Sequence, residues 1–234
     1  MIEAYVTNLG KYNEGELCGE YLKLPATKED VKALFSRIGI DGILYEEIFI
    51  TDYKADIDGL CSYLCEYESI DELNYLAALV SDLDGWEREM FEAAAVCGDF
   101  NGNAKDLINL TQNLECYEYY PGVSNYDEFG RYLIDELGYE EIPERLEAYF
   151  DYEAYGLDYA SDVCGEFVNG GFVFRNSVGF QEYFKGWDVP YDYRIFAYPD
   201  PPDKMPIKQQ LEMFGRMAQT HLTDKPTPAR EERA

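Results

Sequence analysis

Carboxylates are the groups with which this chain could do chemistry. Forty-seven Asp and Glu stand against nineteen Lys and Arg in 234 residues, a formal net charge of −28. Two acids suffice to hydrolyse a glycoside, one as acid and the other as base or nucleophile. A hydrolase of that kind stays open as an alternative, but it explains none of the other forty-five acids. Asp99-x-Asn101-x-Asn103 starts like a calcium loop, yet Ala104 stands where the turn needs glycine and Leu110 where a bidentate Glu belongs. The single histidine, His221, lies in the tail, so the main body has no Ser/His/Asp or Cys/His relay. Six cysteines (18, 61, 65, 97, 116 and 164) contain no Cys-x-x-Cys pair. Cys61 and Cys65 would share a helical face without a nearby histidine, which reads as core thiols rather than a zinc site. No Walker-type or G-x-G-x-x-G loop occurs. The expectation is a protein with no catalytic residue, no metal and no cofactor, whose acids act as a surface.

That surface needs a scaffold. Strongly acidic chains are often disordered for want of aromatics, but here 47% of residues are hydrophobic and 16% aromatic. A folded body with an acidic skin follows. Nearly all the charge sits early: residues 1–165 hold 37 acids and 10 bases, residues 166–234 hold 10 and 9. Such a charge excludes nucleic acid and anionic membrane as direct partners. The opening MIEAYVTNLGKY lacks the basic and apolar regions of a signal peptide. No apolar run approaches the ~18 residues of a membrane span, so reduced thiols and a cytoplasmic location are expected.

Periodicity places the elements. Ile2, Ala4 and Val6 alternate with polar residues as in a half-buried strand. A turn-rich loop follows over Gly10–Glu16, then a strand over Leu17–Leu24. Thr27 to Asp30 has capping-box spacing, before a helix whose stripe is Val31, Leu34, Phe35 and Ile38 and whose stop is Gly39. A third strand covers Glu46–Tyr53. Residues 57–113 are helical, with one helix opened by Ser69 and another by Asp84 that turns Trp86, Met90, Phe91 and Ala94 inward. Glu115–Tyr120 is a strand. After Asn125 comes an amphipathic helix with Phe129, Leu133, Ile134 and Leu137 inside and Asp127, Glu128, Arg131, Asp135 and Glu136 outside. Pro143 suits the first turn of another, with Leu146, Tyr149 and Phe150 on one side and Glu144, Glu147 and Asp151 as an i, i+3, i+7 acidic stripe. Phe172–Phe174 closes the unit. Tyr198–Pro206 reads as an extended linker, and Ile207, Leu211, Phe214 and Ala218 as a short amphipathic helix that must dock on something. Residues 224–234 read as disordered. The fold class is α+β: residues 1–56 form an α+β unit, 57–114 a helical one, 115–185 a second α+β unit, and 186–234 an extension that folds back on the body or swaps onto a second chain.

Two motifs far apart carry a resemblance. Tyr5-Val6-Thr7-Asn8-Leu9-Gly10-Lys11-Tyr12-Asn13-Glu14-Gly15-Glu16 and, later, Ile142-Pro143-Glu144 with Tyr149-Phe150-Asp151-Tyr152-Glu153-Ala154-Tyr155-Gly156 closely resemble the ArdA antirestriction family, over about residues 1 to 176. The resemblance implies an elongated three-domain homodimer that imitates bent B-form DNA and occupies the DNA-binding groove of Type I restriction-modification enzymes. The region matching the family's antirestriction motif, about Leu133 to Asp158, is then near the dimer interface, with Leu133, Leu137, Tyr149, Phe150, Tyr152 and Tyr155 as candidates. Leu157 stands where the family commonly has a basic residue.

Charge density agrees with the analogy. Duplex DNA carries one charge per ~1.7 Å of axis, so the net −27 of residues 1–165 corresponds to roughly 46 Å, or about 14 base pairs. The acids expected to carry the imitation are Asp71, Glu72, Glu87, Glu115, Glu118, Asp127, Glu128, Asp135, Glu136, Glu140, Glu141, Glu144, Glu147, Asp151, Glu153 and Asp158. Besides a Type I enzyme, the same surface could engage another DNA-binding defence protein such as a CRISPR effector.

Overall fold

The computed structural model describes residues 1–98, 100–200 and 211. Asp99, His221, residues 224–234 and the expected helix positions Ile207, Phe214 and Ala218 lie outside the described residues. Among those described, eight helices and two three-stranded antiparallel sheets make a mixed α+β fold.

The first sheet has β1 (Ile2–Asn8) between β2 (Gly19–Leu24) and β3 (Ile48–Ala55). Its inward face is the expected alternation, with Ile2, Ala4 and Val6 buried. Residues Gly10–Glu16 are not all loop: Leu9–Asn13 form the short helix α1, because the Asn8 side chain accepts from the Lys11 amide and fixes the first turn. The Asn8 amide also donates to Ile38 O at 3.2 Å, tying the end of β1 to the end of α2 (Lys28–Ile38). Helix α2 starts on the Thr27–Asp30 capping box and stops at Gly39, whose φ of 79° is left-handed. Leu17 falls outside the strand and is exposed.

Three helices follow: α3 (Ile70–Asp82), α4 (Gly85–Val96) and α5 (Ala104–Thr111). Asp84 and Glu87 form a reciprocal capping box on α4. Ser69 makes no capping bond through its side chain. Its neighbour, the buried Glu68, instead accepts from the amides of Cys65 and Ala104, joining the approach to α3 with the start of α5. Trp86 lies outward, near the first turn of α4, with its ring 5.7 Å from that of Tyr119. Cys61 lies in a 3-10 turn that ends at Tyr63, so Cys65 shares no helical face with it.

The second sheet orders β4 (Tyr117–Pro121), β6 (Gly171–Arg175) and β5 (Glu166–Val168). Against it pack α6 (Tyr126–Arg131), continued by a π-helical turn over Tyr132–Glu136, and α8 (Tyr152–Val163); between them lies the single turn α7 (Glu144–Glu147), which buries no side chain. Buried side chains fall into two clusters. One runs from the first sheet through α2–α5 to Tyr117, Tyr119 and Val173, and takes in Phe184, Val189 and Ile195. The other gathers Tyr120, Val123, Phe129, Leu133, Ala160, Phe172 and Phe174.

Candidate acidic interaction surface

Between residues 115 and 162 fourteen acids face two bases, so the ordering of this stretch decides what its charge can do. Helix α6 starts at Asn125, which accepts from the Glu128 amide. Glu128 in turn accepts from the Ser124 hydroxyl and amide, which hold its carboxyl below the usual range. Asp127 binds Arg131 at 2.8 Å, and the Arg131 guanidinium sits 4.2 Å over the Tyr152 ring, pinning α6 to α8. The two helices meet backbone to backbone, because Gly130 and Gly156 leave no side chain between them.

Two expectations about this segment are corrected. Leu137 is exposed, because the π-helical turn inserts extra residues per turn and rotates it off the face that buries Phe129, Leu133 and Ile134. The acidic stripe Glu144, Glu147, Asp151 is interrupted, because α7 ends at Glu147 with Pro143 as its N-cap. Asp151 instead caps α8, accepting from the Ala154 amide at 3.0 Å. Leu146 and Tyr149 accordingly point outward, Tyr149 at 85% exposure. Helix α8 itself is absent from the sequence reading. Its signal was present in Asp151 as a cap and in Tyr152, Tyr155, Tyr159, Ala160 and Val163 at helical spacing.

The sixteen candidate acids divide by what they touch. Glu87 caps α4, and Glu118 accepts from the Tyr120 hydroxyl at 3.0 Å. Asp127, Glu128 and Asp151 serve α6 and α8 as described. Asp71 accepts from the amides of Ile195 and Phe196 at 2.7 and 2.6 Å. Glu72 is half-buried, and burial first, then Glu68 and Asp71, push its carboxyl up against the opposing pull of Lys105. The remaining nine (Glu115, Asp135, Glu136, Glu140, Glu141, Glu144, Glu147, Glu153 and Asp158) are exposed. Among the described residues none of their side chains takes part in a hydrogen bond or ion pair.

Glu128, Asp135 and Glu136 come together around a shallow depression of about 230 Å³ beside Arg131 and Tyr132. Glu118 and Glu140 meet tyrosines: burial, then Tyr139 and Glu118, push the Tyr159 hydroxyl up to about 12, and Glu140 acts on Tyr155. A glycosidase would need one carboxyl raised to serve as the acid. Among the described residues the raised carboxyls are Glu72 and Glu92, and neither lines that depression. Asn101 and Asn103, of the calcium-like loop, bond backbone groups instead: Asn101 donates to Ala95 O, and Asn103 accepts from the Asp106 amide.

Of the six interface candidates, Leu133 and Tyr152 are buried inside the chain, Phe150 and Tyr155 are half-buried, and Leu137 and Tyr149 are exposed. Exposed Tyr139, Leu146 and Leu157 lie in the same stretch. Among the described residues no helix is long and apolar enough to cross a membrane.

Glu72 yields a sharp expectation. A carboxyl raised in the folded state binds its proton longer there than in the unfolded chain, so stability falls as pH rises past the ordinary value of 4.5. Glu72→Gln is expected to be more stable than the parent at pH 7 to 8 in thermal melts. That advantage should shrink as pH falls to about 4, where both side chains are neutral.

A family model described as Antirestriction protein (ArdA) matches residues 4–174, well over half of the chain. No curated protein matches it.

Proposed function

The chain belongs to the ArdA antirestriction family, and from that premise we propose that it works as a decoy for DNA, filling the DNA-binding groove of a Type I restriction-modification enzyme. The family is one of inhibitors of restriction-modification rather than of enzymes. The observation that carries the decoy reading is the set of nine exposed carboxylates between Glu115 and Asp158 whose side chains make no hydrogen bond or ion pair among the described residues. A solvated acid on an ordinary surface is commonly balanced by a nearby base. These are left for a partner's Lys and Arg.

The helices α6 and α8, which carry or flank these carboxylates, are ordered before binding by caps, the Arg131 clasp and their glycine crossing. Groups ordered in advance lose little entropy on docking, and both surfaces release counterions. No bond is made or broken, and no cofactor takes part. The working form in this reading is a cytoplasmic homodimer of elongated three-unit protomers. Uncovered Leu137, Tyr139, Leu146, Tyr149 and Leu157 support a second copy as the cover.

Competition tests it. A purified Type I enzyme bound to labelled duplex should lose that duplex to the protein stoichiometrically, and excess duplex should restore cleavage. Inhibition that added DNA leaves unchanged would refute the decoy.

A further inference from the structure

Residues beyond the family match run back along the molecule without strand or α-helix as far as Asp200, with one 3-10 turn at Tyr191–Tyr193, and half of the buried polar side chains among the described residues hold them. Asn113, two residues past the end of α5, donates to Gln181 O at 2.9 Å and accepts from the Gln181 amide at 2.8 Å. One turn earlier, Asn109 repeats the pairing with Phe184, at 2.8 and 2.9 Å. On α3, Asn74 donates to Tyr193 O at 3.0 Å while accepting from the Ala26 amide at 2.7 Å. Asp71, one turn away, takes the amides of Ile195 and Phe196. The segment then reaches the first sheet's unit, where Tyr198 donates to Glu46 O and lies over Gly42, and Lys32 meets Asp200.

Asn is a poor helix former and costly to bury, because its amide must find partners. Here Asp71 and Asn74, three apart, share one face of α3, while Asn109 on α5 and Asn113 just beyond it are tied together by the Asn113 amide donating to Asn109 O at 2.8 Å. They reproduce for a lone extended segment the paired bonds a neighbouring strand would offer. Apolar anchors alternate with them: Phe184, Val189 and Ile195 are buried, and the Phe180 ring stacks on Phe100 with centroids 3.5 Å apart. Lys105 pairs with Glu182.

We propose that the α3–α5 face is a peptide-binding groove whose ligand, in cis, is residues 177–200, and that this strap clamps the second sheet's end of the chain to the first. It stands apart from the decoy reading. If that reading is also right, the strap fixes the acidic surface relative to the N-terminal unit before any partner arrives.

The test uses the full chain with no restriction enzyme present, so its outcome is separate from that of the decoy reading. Equal amounts of isotope-heavy and light protein are mixed and treated with a carbodiimide, which joins an amine to a carboxylate in direct contact. The expected products link Lys105 to Glu182 and Lys32 to Asp200, each wholly heavy or wholly light. Linked peptides of mixed isotope would place the strap on a second copy and overturn the proposal, as would failure of both links to form. Asn109→Leu with Asn113→Leu keeps the side-chain bulk but removes the paired amides. In that variant, hydrogen exchange at the Gln181 and Phe184 amides should rise by at least about tenfold, with the Val6 and Leu76 amides unchanged. Equal exchange at Gln181 and Phe184 in parent and variant would count against the groove even where the links form.

Discussion

Gly156→Ala is expected to destabilise strongly the unit that carries the acids. A methyl group at 156 would lie 2.1 Å from Tyr126 O and 2.9 Å from Gly130 N, and one at 130 would lie 2.0 Å from Tyr152 O. All three obstacles are backbone, so no side chain can swing aside, and α6 must part from α8. That separation strips the contacts between Phe129 and Tyr159 and opens the small second cluster. Overpacking of this kind costs about 3 kcal/mol or more, a large share of the 5–15 kcal/mol typical of a whole domain. Gly85 supplies the control. It begins α4 with open space where a methyl group would go, so Gly85→Ala should stabilise by about 0.5–1 kcal/mol. Urea unfolding of the two variants should therefore move in opposite directions. Equal midpoints would mean that the helices do not touch through their glycines.

The second large effect is collective. Replacing Asp135, Glu136, Glu140, Glu141, Glu144 and Glu147 together by their amides removes six exposed charges that make no hydrogen bond or ion pair among the described residues. Folding stability should hold or rise, since self-repulsion falls. Inhibition of a Type I enzyme should weaken by about a thousandfold, at roughly 0.7 kcal/mol per lost contact. Any one of the six alone should cost only a few-fold. A single amide substitution that abolished inhibition would point to a catalytic or metal role for that residue.

Much of the scaffold was legible because it obeys a period. The alternation at Ile2, Ala4 and Val6, the Thr27–Asp30 box with its stop at Gly39, and the inner stripe of α2 each follow from local rules, and the structure has them. Failures cluster where one local pattern continues across a break. Tyr149, Phe150 and Asp151 extend the wheel of α7 on paper, but the chain turns after Glu147 and Asp151 starts α8. Leu137 continues the stripe of α6 until a π-helical turn shifts it. The strap had no signal of its own, because its order comes from Asp71, Asn74, Asn109 and Asn113 on distant helices and an extended segment has no periodicity to read. Site acids suffered similarly. Composition identified the charge, but only the fold separates Asp71 and Asp151, which hold backbone amides, from Glu144 and Glu147, which face solvent.

Isothermal titration of a Type I enzyme across ionic strength tests charge imitation most directly. Logarithm of affinity should fall linearly with logarithm of salt, losing about a thousandfold or more between roughly 50 and 200 mM, as six or more phosphate-like contacts require. Affinity that stays flat over that range would contradict the account.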